Sequence, residues 1–284
     1  MSGLSAEQRR NWNHSGYFIV REALPPEEIR ALAVEVDRGF QRYLAAHPVA
    51  NPAAGAEILA AMEYGDAFRR LIDNPRTFDL IADLLGPHIQ LYISVFTVRP
   101  PNPNARGFMH TDGGEAMQSI RVTEDSRPLQ AKVHYFLTDV PHEDWGNFTV
   151  VPGSHRRPAT WPEGYEPAPV ELAGTRQIIV QAGDAVVFSH QLWHGAVRNT
   201  STVTRKTVTY GYSQLFMRPA DYVHPSPELL AAATPRQRRL LGDLGHLDMP
   251  AEGSQSYSEE GFYAGRYYYS PPDQRRLIEG ERPA

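Results

Sequence analysis

The chain has no cysteine. That absence removes disulfides, thiolate zinc sites, iron–sulfur clusters and cysteine nucleophiles together, so any metal must be held by His, Asp or Glu. Long apolar runs are missing as well, and none approaches the roughly 20 residues that a membrane-crossing helix needs. The opening residues Met1 to Arg10 lack the apolar segment of a secretion signal. A cytoplasmic location without a membrane partner is therefore expected. Basic surplus is absent too: 28 Lys and Arg stand against 33 Asp and Glu, a net charge of −5. That is the wrong sign for binding a nucleic-acid polyanion, and a small molecule is the expected partner. Composition does not speak to oligomeric state.

What is present suits a soluble globular protein with a full core, with 41% hydrophobic and 21% charged residues. After a polar leader, Gly16 to Val20 reads as a short strand, and Pro25-Pro26-Glu27-Glu28 opens a helix with proline and acid in its first turn. Ile29, Leu32, Val36, Phe40 and Tyr43 follow at helical spacing, a stripe that should lie on a sheet. Ala67 to Leu85 reads as one further helix, stopped by Gly86-Pro87. From Ile89 the period changes to two, with Leu91, Ile93, Val95 and Thr97 on one face and Tyr92, Ser94, Phe96 and Val98 on the other. Strands are also expected at Ala131–Leu137, Asn147–Val151, Gln177–Gln181, Ala185–Ser189 and Thr207–Gln214, and a helix at Pro225–Leu241. Many short strands separated by Pro- and Gly-rich turns predict an all-β core with flanking helices, a jelly roll. One domain over 1–284 is expected: helical support at 1–88 packed outside, a core at about 89–215, and an extension at 216–284 covering the barrel.

Chemistry concentrates at His110-Thr111-Asp112. On a strand, residues i and i+2 point to the same side, so His110 and Asp112 converge while Thr111 points away. Two imidazoles and one carboxylate on one face of a metal form the facial triad of non-haem Fe(II) oxygenases. The second histidine comes from Phe188-Ser189-His190-Gln191-Leu192-Trp193-His194, where His190 and His194 compete for the role.

The order Gly16-Tyr17-Phe18-Ile19-Val20, His110-Thr111-Asp112, Pro152-Gly153-Ser154-His155, then His194-Gly195 with Asn199 and Arg205, resembles the phytanoyl-CoA dioxygenase family, with the match running from about Gly16 to Gln214. The resemblance implies a double-stranded β-helix, of the cupin-like jelly-roll kind, that uses Fe(II), 2-oxoglutarate and O2. It also implies a metal set of His110, Asp112 and His194, because the family places an arginine eleven residues beyond its distal histidine and Arg205 satisfies that count from His194. Arg205 is then the anchor for the far carboxylate of 2-oxoglutarate, its planar fork matching a carboxylate with two charge-assisted hydrogen bonds. Thr207, two residues on, adds a hydroxyl on the same face. Val95, Thr97 and Arg99 would line the co-substrate pocket, and Tyr135 holds the place of an aromatic that packs against the co-substrate. Family members that halogenate carry a small residue where Asp112 stands, so the carboxylate implies hydroxylation or another C–H oxidation, with succinate and CO2 released. A small molecule, such as a natural-product intermediate, is the expected substrate.

Competing chemistries are a zinc-dependent hydrolase or isomerase on the same ligands, which leaves Arg205 without a task, and a non-catalytic jelly-roll binding module. Asp184 and His155 sit in turns and are read as structural. Arg106, Arg121 and Arg127, with Met117 and Trp145, are placed around the opening without an assigned role.

Overall fold

A computed structural model describes residues 3–105, 107–113, 117, 120, 126–156, 173–243 and 278. Two antiparallel sheets face each other. The larger has the order β1-β8-β5-β10-β3-β2 and the smaller β4-β9-β6-β7, where β1 is Tyr17–Val20, β2 Ala56–Leu59, β3 Ile89–Arg99, β4 Phe108–His110, β5 Gln130–Phe136, β6 Phe148–Val150, β7 Arg176–Gln177, β8 Ala185–Ser189, β9 His194–Ala196 and β10 Arg205–Gln214. Neighbours in the sheets are far apart in sequence, which is the double-stranded β-helix arrangement of a jelly roll.

Both faces of the large sheet are buried. On the outer face Phe96, Val98, Val133, Tyr135, Val187, Val208, Tyr210 and Tyr212 pack against helices. On the inner face Phe136, Val186 and Phe188 meet Phe148 and Val150 of the small sheet. The helix α2, Pro26–Ala46, applies its expected stripe of Ile29, Leu32, Val36, Phe40 and Tyr43 to the outer core. Ahead of it, α1 spans Ala6–Ser15, where a polar leader was expected; Ser5 and Gln8 close a reciprocal capping box and Trp12 is its buried anchor.

Four expectations are corrected. The single helix over Ala67–Leu85 is broken into Asp66–Arg69, a 3-10 turn over Arg70–Asp73, and Phe78–Leu85. Pro75 disfavours helical geometry at Asn74, whose side chain instead accepts from the Arg76 amide at 2.9 Å. Leu91 does not share a face with Ile93: the β3–β10 register slips between Gly211 and Tyr212, which oppose Ile93 and Leu91. The extra residue, Tyr92, turns Leu91 to the helical side, as a bulge does. The strand expected over Gln177–Gln181 pairs only at Arg176–Gln177, followed by a lone Val140–Val180 bridge. The helix expected over Pro225–Leu241 is two, Pro227–Ala232 and Pro235–Leu240, because Pro235 starts a new N-terminus with Thr234 as its cap.

The described part of the C-terminal extension packs on the outer layer. Tyr222 donates to the Leu91 carbonyl at 2.8 Å, the Ser226 amide to Glu63 at 2.8 Å, and Gln237 to Asp73 at 2.8 Å. The aromatics Phe262, Tyr263 and Tyr267 to Tyr269, and with them the expected cover of the barrel, lie outside the described residues. Among the described residues no helix is long and apolar enough to cross a membrane.

Candidate active site

The inner face carries the chemistry. Strands β4 and β9 pair so that His110 and His194 are direct cross-strand partners, with ring centroids 4.3 Å apart. Gly195 permits this: a Cβ there would lie 1.7 Å from the Phe108 carbonyl oxygen, so any side chain would force the strands apart. Beyond the end of β4 the Asp112 amide donates to the His190 carbonyl at 2.9 Å. This brings the carboxylate back over the histidines, with Oδ1 3.7 Å from His110 Nε2 and Oδ2 3.8 Å from His194 Nε2. One ligand atom from each of His110, Asp112 and His194 falls within 4.8 Å of the others. His190 is the brace rather than the third member, its Nδ1 donating to the Gln130 carbonyl at 3.1 Å.

Protonation states suit a metal. Nδ1 of His194 lies 2.8 Å from the Leu192 carbonyl, an acceptor only, so the proton sits there and Nε2 presents its lone pair. Burial, with His110 beside it, pushes the His194 pKa down to about 3, and burial also lowers that of His110. Burial alone would raise the Asp112 pKa. The Lys132 ammonium, 2.6 Å from Oδ1, outweighs it and, with the two histidines, holds the carboxyl well below the usual range. Oδ2 is buried without a hydrogen-bond partner. An orphaned carboxylate oxygen flanked by two neutral imidazoles is a donor set that fits a divalent cation.

Further along the same face, cross-strand pairing sets Arg205 opposite Arg99 and Thr207 opposite Thr97. Thr97, Arg205 and Thr207 are buried. Arg99 is engaged by Glu57 at 2.7 Å, whereas Nε and Nη1 of Arg205 and Oγ1 of Thr207 have no partner. Burial, and then Arg99, push the Arg205 pKa down to about 9; this guanidinium lacks an anion. A carboxylate group fits these unmet donors. Asn199 delivers Arg205 to this place, its amide donating to the carbonyls of Arg99 at 3.1 Å and Val203 at 2.9 Å and so closing the turn before β10.

Tyr135 is on the wrong face for the role expected of it. It points into the helical layer, where its hydroxyl lies 2.6 Å from Thr77 Oγ1. The inner position belongs to His134, which bonds Thr209 Oγ1 at 2.6 Å and stacks on Phe148 with centroids 5.0 Å apart. Burial, then Arg205 and His194, hold the His134 ring neutral. Lys132 and His134 are the site residues that sequence reasoning missed. The parity of Gln130, Lys132 and His134, alternating with apolar Ala131, Val133 and Tyr135, was the available signal.

Asp184 and the turn with His155 hold structural places, as expected. Asp184 ties β1 to β8 by accepting from Arg21 at 2.5 Å and from the Glu22 and Gln181 amides. The turn with His155 braces the site, since Ser154 Oγ accepts from the Trp193 amide at 2.9 Å. Arg127 is exposed and lies against Gly86, Trp145 packs at the edge of the inner core, and Met117 lies against Gly113 and Gln130. Arg106 and Arg121 lie outside the described residues.

The family model for phytanoyl-CoA dioxygenase matches residues 12–207. The chain belongs to the phytanoyl-CoA dioxygenase family. It is 26% identical to an uncharacterized protein of Mycobacterium tuberculosis over 95% of this chain and 93% of that one. With the ectoine dioxygenase of Bordetella bronchiseptica it shares 23% identity over 80% of this chain and 82% of that one. The crystal structure of HygX from Streptomyces hygroscopicus with nickel and 2-oxoglutarate bound superposes with a TM-score of 0.64 at 18% identity, over 82% of this chain and 96% of that one. With the His-Asp-His cluster, the family places the chain among the non-haem iron, 2-oxoglutarate-dependent dioxygenases.

Proposed function

We propose that the protein oxidises a C–H bond of a small organic molecule, by hydroxylation or a related outcome, with His110, Asp112 and His194 holding Fe(II) and Arg205 anchoring 2-oxoglutarate. The observation that carries this reading is the pairing, on one buried face, of a metal-ready triad with a guanidinium that has no anion. Thr207 and Thr97 offer hydroxyls beside Arg205, and His134, in place of Tyr135, walls the space between Arg205 and His194. When bound, Fe(II) and 2-oxoglutarate supply O2 activation, with succinate and CO2 as products. The chain's own part is to fix the co-substrate in one orientation and to keep water out with Phe148 and Phe188, the positioning contribution on which such sites rely.

A natural-product scaffold is the substrate class best supported, since HygX has been crystallised with hygromycin B bound and the epimerase SnoN with nogalamycin RO. Asp112 occupies the place a halide would need, which favours oxygen insertion over halogenation. A zinc hydrolase on the same ligands leaves Arg205 idle. Anaerobic addition of Fe(II) and 2-oxoglutarate is expected to give a weak visible charge-transfer band, and admission of air to give succinate. Absence of both, with hydrolysis of an ester or amide panel by the zinc form, would overturn the proposal.

A further inference from the structure

Lys132 is an unusual residue for a strand interior. It lies mid-strand in β5, paired on one side with Phe188 of β8 and on the other with Gly211 of β10, and its side chain is only 11% exposed. Buried lysines occur almost solely when paired, and its partner is the carboxylate of the metal set, Nζ lying 2.6 Å from Asp112 Oδ1. The stem has one course to follow. A Cβ at Gly211 would lie 3.2 Å from Lys132 Cγ and 2.7 Å from Ile93 Cγ2, so the glycine vacates the space through which the lysine reaches.

The two oxygens of Asp112 are therefore not equivalent. Oδ1 is occupied by an ammonium, while Oδ2, 3.8 Å from His194 Nε2, is buried and unpartnered. Resting on the proposed function above, we infer that Lys132 is a positioning residue that holds Oδ1 off the metal, so that Asp112 ligates through Oδ2 alone. The requirement is a matter of coordination number. Three protein ligands leave three of six positions, of which 2-oxoglutarate takes two and O2 one. A carboxylate binding through both oxygens consumes a position that the co-substrate needs.

Lys132 thus trades metal affinity for an open site, because its charge also repels the cation. Removing it should tighten the metal and weaken the co-substrate, opposite effects that a purely structural role cannot produce. The test uses the full-length protein with Co(II), whose absorption reports coordination without turnover, and compares Lys132→Met, Lys132→Gln and Lys132→Arg. In the Met and Gln variants Co(II) should bind about tenfold or more tighter, and 2-oxoglutarate should bind the Co(II) protein about tenfold or more weaker, the scale typical of partners of metal ligands. Their Co(II) absorption should shift, and Lys132→Arg, which keeps a cationic donor, should restore the original spectrum. Folded variants with both constants within twofold of the original protein, or with Co(II) affinity lost, would overturn the inference. Failure of the unmodified protein to bind 2-oxoglutarate with Co(II) would instead overturn the proposed function, and this inference with it. Thermal melts identify a variant that does not fold, and the Gln change, which keeps a polar group, guards against that outcome for Met.

Discussion

Replacing Arg205 with methionine should make the metal-free protein more stable and leave it unable to use 2-oxoglutarate. The guanidinium is 3% exposed, two of its nitrogens lack partners, and Arg99 is its cationic neighbour. Exchange even of paired buried charges for apolar side chains of similar volume is often neutral or stabilising by about 1–4 kcal/mol, and Arg205 has no anionic partner to lose. For a chain of this size, with about 2–4 °C per kcal/mol, a gain near 2 kcal/mol raises the melting temperature by roughly 4–8 °C. Co-substrate affinity should move the other way. Two charge-assisted hydrogen bonds at about 1.5–3 kcal/mol each make 2-oxoglutarate roughly 10²- to 10⁴-fold weaker. Melting curves of the metal-free protein read the first effect and those of the Co(II)-loaded protein with and without 2-oxoglutarate the second: the variant should melt higher without metal or ligand and show no ligand-induced rise. Arg205→Lys, with charge but no fork, should fall between. A variant that melts lower yet keeps its full response to 2-oxoglutarate would show that Arg205 serves packing and that the anion site lies elsewhere.

Gly195→Ala should separate β9 from β4, since its Cβ meets backbone at 1.7 Å; the expected cost is several kcal/mol, and metal binding should be lost in any folded fraction, measured by Co(II) titration. Tyr135→Phe removes a hydroxyl bonded only in the helical layer, so it should cost about 1 kcal/mol in denaturant unfolding and leave the 2-oxoglutarate KM unchanged; a large rise in KM would restore Tyr135 to the pocket. Stability should also depend on pH through the buried histidines. His134, His190 and His194 all have folded pKa values below the ordinary 6.5, so their contribution is complete above 6.5 and declines as pH falls below it, toward the folded values. His194, with a folded value of about 3, contributes about 1.4 kcal/mol per pH unit below the ordinary value; urea unfolding of the metal-free protein should weaken by at least about 1 kcal/mol between pH 6 and 5, and a flat profile over that range contradicts the burial of neutral rings.

The His110 and Asp112 half of the triad was legible from local spacing, and His194 came only with the family resemblance. His110 and Asp112 are two apart at a strand end, and His194 is followed by the one residue, glycine, that allows close strand approach. Arg205 was reached through its distance from His194, a distance fixed by the Asn199 turn. Tyr135 was misplaced because it was assigned from the family resemblance, while the strand's own alternation of Gln130, Lys132 and His134 with Ala131, Val133 and Tyr135 puts it on the opposite face. A lysine inside such a strand reads as an anomaly until its partner, 20 residues away in sequence, is brought beside it. The helix break at Asn74-Pro75 and the bulge at Tyr92 were missed for a different reason, since each is a local exception to a periodicity that holds on both sides of it.

The direct pairing of His110 with His194 across two hydrogen-bonded strands also divides the metal set by how its members are held. Both histidines have their backbones fixed in the β4–β9 ladder. Asp112 lies past the last ladder residue and is tethered by one backbone hydrogen bond to His190. Asp112 is thus the one member of the set held outside the ladder, and the Lys132 ammonium already grips its Oδ1 oxygen.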